Sequence, residues 1–532
     1  MSQPAGRSHS LSTVTLAEGL ELQRVTPASR LYGANGLRTG PDGRLYVAQV
    51  SGSQISAIDV TSGAVTTVSP MGGAIVAPDD LAFDEQGNLF ATEISEGRVS
   101  MRSPRGDTRV VYGDLPCANP ITIHQGRLFA GECRHEGRIM ELSLGGGAPR
   151  TLVENVPMPN AMEVGPDGKL YFPVMEANEI WRIGLDGGAP EVVARNLGVP
   201  DSVKFDAGGF IVSTQAATGQ VLRINPATGE QQVLAQLAPG LDNLSFVDGR
   251  LFVSSFSGEI TEVLAGGQTR SLLPAGMNGP MGLTCDELGR LVIADGPYCY
   301  SLQPGGEPQV LGMLFTPGSP GYSRGVAAAG AGEFIVTTGL GQVARWNPVD
   351  QTSEFLAQGL DRLYGVAVDG RDAVVVAEAG RGRLLGIAGG SVTELATGLN
   401  QPKGVAITVE GDYLVAEEGA GRVVKAVRGG VDIVLDGLQR PQGIAVAGDL
   451  LYVVDAGSRS LIEFNRVSGA CRTLAAGLPV GAPEGITPKP INPFPPLSGA
   501  MGPFADLAVA SDGTLFIGAD AEGSVLCLGS VS

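Results

Sequence analysis

From Asn35 onward, apolar and polar positions alternate in short bursts that repeat along the chain. Each unit opens on a brief apolar run, Gly36-Leu37 or Ser202-Val203, and then turns at Gly40-Pro41-Asp42-Gly43 or Gly165-Pro166-Asp167-Gly168. A strongly apolar stretch follows, such as Leu45-Tyr46-Val47-Ala48 or Leu128-Phe129-Ala130-Gly131. A polar loop leads to a third stretch, Glu179-Ile180-Trp181-Arg182-Ile183, and a turn at Asp186-Gly187-Gly188 leads to a fourth, Glu191-Val192-Val193-Ala194. Runs this short between Gly-rich turns predict four antiparallel strands, not helices. The unit returns about every 40 residues, the period of a propeller blade.

Twelve units can be counted, opening at Asn35, Asp79, Asn119, Asn160, Asp201 and Asp242, then at Met281, Arg324, Tyr364, Lys403, Gln442 and Ala505. Propellers usually have about four to eight blades, and a ring of twelve would leave a wide wet hole. The predicted fold is therefore all-β, two tandem six-bladed β-propellers of four-stranded antiparallel blades. Residues 28–276 form the first and 277–532 the second, with the seam near Pro274–Asn278. The last unit ends at Gly523-Ser524-Val525-Leu526-Cys527-Leu528, without room for a fourth strand. Residues 1–27 are a tail carrying an alternating stretch, 11–18, which is predicted to supply that strand and hide an open edge. Two long connections, 312–322 and the proline-rich 483–504, are expected to cover one face of the second propeller.

Composition narrows the function. Gly is frequent, at 79 residues, as a turn-rich all-β chain requires. Net charge is −19 with no cluster of Lys or Arg, which argues against nucleic acid and anionic membrane surfaces as partners. No run approaches membrane-span length and the start lacks an apolar signal core, so a cytoplasmic protein is expected. The six cysteines form no Cys-x-x-Cys pair, which predicts buried thiols and no structural zinc. Nothing in the sequence sets an oligomeric state.

The first position of the unit carries the candidate chemistry. In a propeller it opens the innermost strand, at the mouth of the central channel. Asn35, Asp79, Asn119, Asn160, Asp201 and Asp242 should meet there as a ring of hard oxygen donors, suited to Ca²⁺ or another divalent cation. Asn and Asp also favour loops for local reasons. Yet the second half, with equivalent loops, has Met, Arg, Tyr, Lys, Gln and Ala there. The end of the second strand returns to the same face and should bring Gln49, Glu93 and Glu132 near the rim, with Glu176 behind. Of three histidines, His9 lies in the tail, His124 toward the opposite face, and His135 near the ring, where an imidazole can accept a proton. Arg324, Tyr364, Lys403 and Gln442 are the corresponding candidates for substrate binding in the second propeller. Arg98, Arg138, Arg383 and Arg422 recur at one place in the repeat and read as scaffold.

The ring resembles that of the senescence marker protein/gluconolactonase family, whose relatives include diisopropyl-fluorophosphatase and the paraoxonases. Asn119, Asn160 and Asp201 match its Asn, Asn and Asp at one-blade spacing, and Pro200-Asp201-Ser202-Val203 is the most specific local match. The resemblance covers residues from about 30 to 275 and implies a six-bladed propeller with Ca²⁺ held by Asn35, Asn119, Asn160 and Asp201. The family has Glu where this chain has Asn35, one negative charge fewer, with Asp79 or Glu93 placed to compensate. It implies a metal-dependent hydrolase of a small lactone, ester or phosphoester, with Asp201, or Glu132 with His135, activating water. Asp79, Glu93, Glu176 and Asp242 would support that set. A weaker resemblance, carried by Pro166–Phe172 and Glu179–Ile183, is to virginiamycin B lyase-type propellers and implies metal-dependent elimination through His and Glu. A non-catalytic binding propeller is the third reading.

Overall fold

The computed structural model describes residues 7, 13–369, 373–499 and 501–531. Its strands form twelve antiparallel sheets, eleven of four strands and one of five. The fold is two tandem six-bladed propellers, and the chain divides into two compact units. One unit comprises Leu31–Ala275 with Ile486–Pro496, and the other Met1–Arg30, Gly276–Gly485 and Leu497–Ser532.

In the first propeller every blade is built from consecutive strands, from Leu37–Thr39 through Thr269–Leu273. Adjacent innermost strands touch, and Leu241–Val247 returns to Leu37–Thr39 to close the circle. Alternation along these strands separates two environments. Leu37, Leu81, Ile121, Met162, Val203 and Leu244 are all fully buried between blades. The residues on either side of them face inward, toward the channel.

The second propeller closes differently. Leu20–Arg24 pairs antiparallel with Ser524–Ser530, matching Leu22 to Leu528, and completes the last blade. The expected closing strand, 11–18, is thus displaced by one turn of chain. Thr15–Leu16 adds a fifth strand to the preceding blade, beside Cys471–Ala476, and residues 11 and 12 lie outside the described residues. Both stretches alternate. The turn at Gly19, in the left-handed region at φ 80°, lets one short segment staple two blades. Val14, Leu16, Leu20 and Leu22 all pack on one core formed by those blades.

Five of the six second-propeller units follow their rim residue with glycine: Gly282, Gly325, Gly365, Gly404 and Gly443. A Cβ on Gly325 would come 2.2 Å from Tyr364 O, and one on Gly404 would come 2.3 Å from Gln442 O. The innermost strands therefore approach too closely for any side chain. The sixth unit has Asp506, which accepts from Leu283 N–H at 3.2 Å. Burial pushes its carboxyl up to about 7 against that bond and one from Leu507.

The long connections correct a second expectation. Residues 312–322 stay with the second propeller, whereas Ile486–Pro496 belongs to the first unit. Two tests follow. Leu22→Asp should destabilise the protein by about 2 kcal/mol or more, seen as a lower denaturant midpoint, because it puts a charge into the closing strand. Asp506 is more readily protonated folded than unfolded. Its contribution is complete below the unfolded value near pH 4 and is lost as pH rises through about 7. Asp506→Asn should accordingly raise the melting temperature at pH 8 and leave it unchanged or lower at pH 4.

Candidate functional site

Each ring residue of the first propeller is preceded two positions earlier by a residue in the left-handed region. These are Gly33, Ala77, Cys117, Met158, Val199 and Gly240, with φ of 73°, 45°, 54°, 58°, 60° and 100°. For β-branched Val199 this is strained, at a cost of about 1–3 kcal/mol. Among the equivalent second-propeller positions only Arg362 and Gln401 have positive φ. Strand register also shifts around the ring position, between Pro78 and Leu81, Ala118 and Ile121, and Leu241 and Leu244. Such bulges re-aim a side chain. They occur in the second propeller too, so the bulge is scaffold and the residue type distinguishes the two mouths.

The predicted ring assembles. Asp79, Asn119, Asn160, Asp201 and Asp242 are buried and Asn35 is partly so. Asn35 Nδ2 donates to Asp242 Oδ2 at 3.0 Å, and Asn160 Nδ2 to Asp201 Oδ2 at 3.1 Å. Asp201 Oδ1 is buried with no hydrogen-bond partner among the described residues. Burial pushes the carboxyls of Asp79, Asp201 and Asp242 well above the ordinary range, and neighbouring aspartates push them further. No cationic side chain contributes to those shifts. The ring is thus a buried cluster of three carboxyls with raised affinity for protons, Asp201 and Asp242 hydrogen-bonded to each other, and carboxamides beside them.

A second tier, which sequence reading missed, lies one to three residues deeper. Arg38 donates to Glu163 at 2.7 Å and to the carbonyls of Leu81 and Ile121, and Lys204 lies 3.3 Å from Glu163. Asp80 accepts from Asn243 at 3.2 Å and from Ile121 N–H at 3.3 Å. Burial would raise the Glu163 carboxyl, but Lys204 and Arg38 outweigh it and hold the group down to about 2. This tier sets Arg38 and Lys204 against Glu163 and Asp80, and Lys204 Nζ makes no hydrogen bond among the described residues. Its signal in the sequence was the two-residue alternation that places Arg38, Glu163 and Lys204 three positions after a ring residue.

The strand-end carboxylates do other work. Glu93 accepts from Val76 N–H at 2.7 Å and pairs with Arg98. Glu378 and Glu417 accept from Asp361 and Asn400 N–H in the same way and pair with Arg383 and Arg422. Gln49 likewise accepts from Tyr32 N–H, at 2.9 Å. Glu132 is fully buried and clamped by Arg134 and Arg138. Because the arrangement serves both propellers, it fastens blades together. Glu93 and Glu132 therefore correct to scaffold positions, and Glu132 has no free carboxylate to offer His135. His135 instead contacts Glu176 Oε1 through Nδ1. His135 is largely exposed and His9 lies outside the described residues.

A cavity of about 550 Å³ is bounded by Glu96, Asp114, Cys117, Arg134, His135 and the proline segment Pro493, Pro495 and Pro496. Burial raises the Cys117 thiol to about 11, with Arg134 opposing and Glu132 and Asp79 adding, so this wall senses the ring charge. The thiols are not uniformly buried, since Cys471 is exposed.

The second propeller's mouth corrects another expectation. Arg324, Tyr364, Lys403 and Gln442 are all buried, beneath the chain's own Pro503 and Phe504. Lys403 Nζ lies 3.3 Å from the Tyr364 ring centroid, 3.6 Å from Glu418 and 3.2 Å from Pro503 O. Gln442 bridges Glu418 and Ala505 N–H. Burial would raise the Tyr364 phenol, but Lys403 and Arg324 outweigh it and hold it below its ordinary value. This mouth is filled by protein, so the four residues line no open substrate site.

Among the described residues no three His, Cys, Asp or Glu side chains gather into a group able to hold a metal ion, so a cation at the ring needs the carboxamide oxygens as well. No helix among the described residues is long and apolar enough to cross a membrane.

No family model and no curated protein matches the chain. Solved structures similar to it include a streptogramin B lyase, at 18% identity and TM-score 0.39 over 52% of this chain and 96% of that one. A gluconolactonase from Xanthomonas campestris aligns at 16% identity and TM-score 0.39, over 45% of this chain and 88% of that one. A catalytically inactive virginiamycin B lyase from Staphylococcus aureus with quinupristin aligns at 17% and 0.38, over 52% and 96%.

The strain at Val199 is testable. Val199→Gly should leave the ring in place and stabilise the protein by roughly 1 kcal/mol in a denaturant melt, by relieving a left-handed β-branched residue. A destabilised variant would show that the Val199 side chain, not the backbone, is what matters there.

Proposed function

We propose that the first propeller is a divalent-cation-dependent hydrolase of a small lactone, ester or related substrate, acting at its channel mouth. The observation that carries this reading is the ring of three carboxyls and three carboxamides, with Asp201 Oδ1 buried and without a hydrogen-bond partner among the described residues. Protein interiors seldom leave such an oxygen unsatisfied, and uncompensated buried carboxylates are costly. The donor set fits a hard cation such as Ca²⁺. Asp201, Asn119, Asn160 and Asn35 would hold it, with Asp79 and Asp242 supplying the charge that the missing Glu would have given. Asn35 Oδ1 and Asn160 Oδ1 accept from Val50 N–H at 3.1 Å and Ala161 N–H at 2.8 Å, so a cation would share those oxygens with the backbone. A bound cation would polarise the substrate carbonyl.

The remaining chemistry belongs to the chain. His135, oriented by Glu176, takes a proton from water as the water oxygen bonds to the carbonyl carbon. The ester C–O bond then breaks, and the proton returns to the leaving oxygen. Glu176 thus replaces Glu132 as the partner of His135. The same His–Glu pair also suits removal of a C–H proton, which keeps elimination as the second reading. Incorporation of oxygen from labelled water into the product separates the two. The partner in either case is a small molecule.

Chelator-treated protein, verified metal-free by elemental analysis, should melt at a higher temperature once Ca²⁺ is added, since a ligand that favours the native state stabilises it. It should also regain hydrolysis of a lactone and ester panel. Asp201→Ala should lose both responses. His135→Ala should keep the melting shift while its kcat falls by about 10²–10⁴, the usual contribution of a general base. Absence of any response to Ca²⁺, Mg²⁺, Mn²⁺ or Zn²⁺ sinks the reading and leaves a non-catalytic propeller.

A further inference from the structure

At the end of the first propeller opposite the ring, one hairpin departs from the repeat. Each innermost strand starts at a ring residue and runs to a turn such as Gly40–Arg44, and the turn between third and fourth strands lies on that same far face. There Arg102 stands across from Leu89, four residues before Glu93. The other five blades of this propeller put an aliphatic residue at the same place. These are Ile58 across from Leu45, Leu142 from Leu128, Ile183 from Leu170, Ile224 from Ile211 and Val263 from Leu251. Ile58, Leu142, Ile183 and Ile224 are buried. Arg102 is half-buried, and with Arg44, Arg105, Thr66, Thr67 and Ser103 it lines a cavity of about 330 Å³. Arg102 spends Nη1 on the Gly106 carbonyl and Thr108 Oγ1, and neither it nor Arg105 pairs with a carboxylate among the described residues. Other arginines near this face, Arg127, Arg182 and Arg223, do pair with carboxylates, in a chain of net charge −19.

We propose that this cavity binds the phosphate group of a small molecule, as a site separate from the ring and independent of the hydrolase reading. An arginine where the repeat calls for an aliphatic side chain gives up packing and takes a charge partly out of water. An anion in the cavity offsets both. Arg102 Nε and Nη2 are uncommitted among the described residues, and two such donors in a fixed fork suit two oxygens of one phosphate. Arg105 adds a second charge. Arg44 adds less, because it pairs with Asp42 at 2.8 Å. Ser103 Oγ accepts from Asp107 N–H at 3.2 Å, which leaves its own O–H to donate, and Thr66 and Thr67 bring two more hydroxyls. Two free guanidinium groups and three hydroxyls match the three terminal oxygens and near-double charge of a phosphate monoester better than they match a carboxylate. The volume stands at the lower end of small-molecule sites, roughly 300–1,000 Å³, so a phosphate with a short organic group fits. The negative charge of the rest of the chain repels a long polyphosphate backbone. The sequence holds no basic run, and only the fold brings Arg44 of one blade to the hairpin of the next.

Calorimetric titration of the full chain with inorganic phosphate and with glycerol 3-phosphate tests this. Both should bind the wild-type protein. Tighter binding of glycerol 3-phosphate identifies an organic phosphate as the ligand, and equal binding identifies the free ion. Arg102→Ile installs the residue type that the other blades carry, so it should fold, with a melting temperature no lower than wild type. It should weaken phosphate binding by at least about tenfold, the effect of losing a charge-assisted forked contact. Should that variant not fold, Arg102→Gln replaces it with the same expected loss. Arg105→Ala should weaken binding by less. Arg109→Ala removes an equal charge from the same hairpin outside the cavity lining, and should change binding by less than about twofold, because an exposed charge is screened. Asp201→Ala should leave phosphate binding as it is, which separates this site from the ring. The proposal is overturned if neither phosphate binds or if acetate binds as tightly. It is equally overturned if Arg109→Ala or Asp201→Ala loses as much binding as Arg102→Ile.

Discussion

Mutual repulsion among buried carboxylates at one channel mouth is the constraint around which the first propeller is built. Asp79, Asp201 and Asp242 sit out of water and shift one another, with no lysine or arginine among the charges that act on them. Cations were available to the fold. Arg38 and Lys204 stand only three positions deeper on the same strands, but their charge is committed to Glu163. The two tiers therefore have opposite electrostatic character. The lower one opposes cations to carboxyls, with Lys204 Nζ making no hydrogen bond among the described residues. The upper one holds three buried carboxyls whose affinity for protons is raised, and under the proposed function a cation would take the place of those protons.

The backbone bears the same mark. Ordinary residues occupy left-handed positions ahead of four of the six ring residues, including a valine, while the second propeller has only two such positions. Strain of this kind persists where the surrounding structure over-determines it. The second propeller took the opposite course. Glycine after the rim residue draws its strands together, and Lys403, Tyr364, Gln442 and Glu418 satisfy one another beneath Phe504. Two halves with one repeat thus diverged at two adjacent positions of the unit. One gathers carboxyls and carboxamides at its mouth, and the other pairs Lys403 with Glu418 beneath Pro503 and Phe504.

A strap, Ile486–Pro496, connects the two histories at the level of sequence. A segment that interrupts the repeat of the second half supplies a wall to a cavity in the first unit. The long insertion stood out as an oddity of length and proline content. It is tied to the first unit by Asn492, which donates to Glu96, and by Pro495 O, which accepts from Cys117 Sγ.

Periodicity alone determined the blade count, the two-propeller partition and the membership of the ring, because in a closed circular repeat equal sequence positions become equal spatial ones. It also marked Arg98, Arg383 and Arg422 as scaffold, since each recurs at one offset from a strand-end carboxylate. What lay beyond it were contacts between residues at unequal positions. Whether 15–16 or 20–24 closes the last blade depended on the turn at Gly19, as both segments alternate. The pairing of His135 with Glu176 instead of Glu132 depended on two arginines reaching Glu132 first. The course of the strap goes with contacts at unrelated positions, Asn492 to Glu96 and Pro495 to Cys117. A repeat fixes what every unit shares, and only packing in three dimensions selects among partners that the repeat leaves equally near.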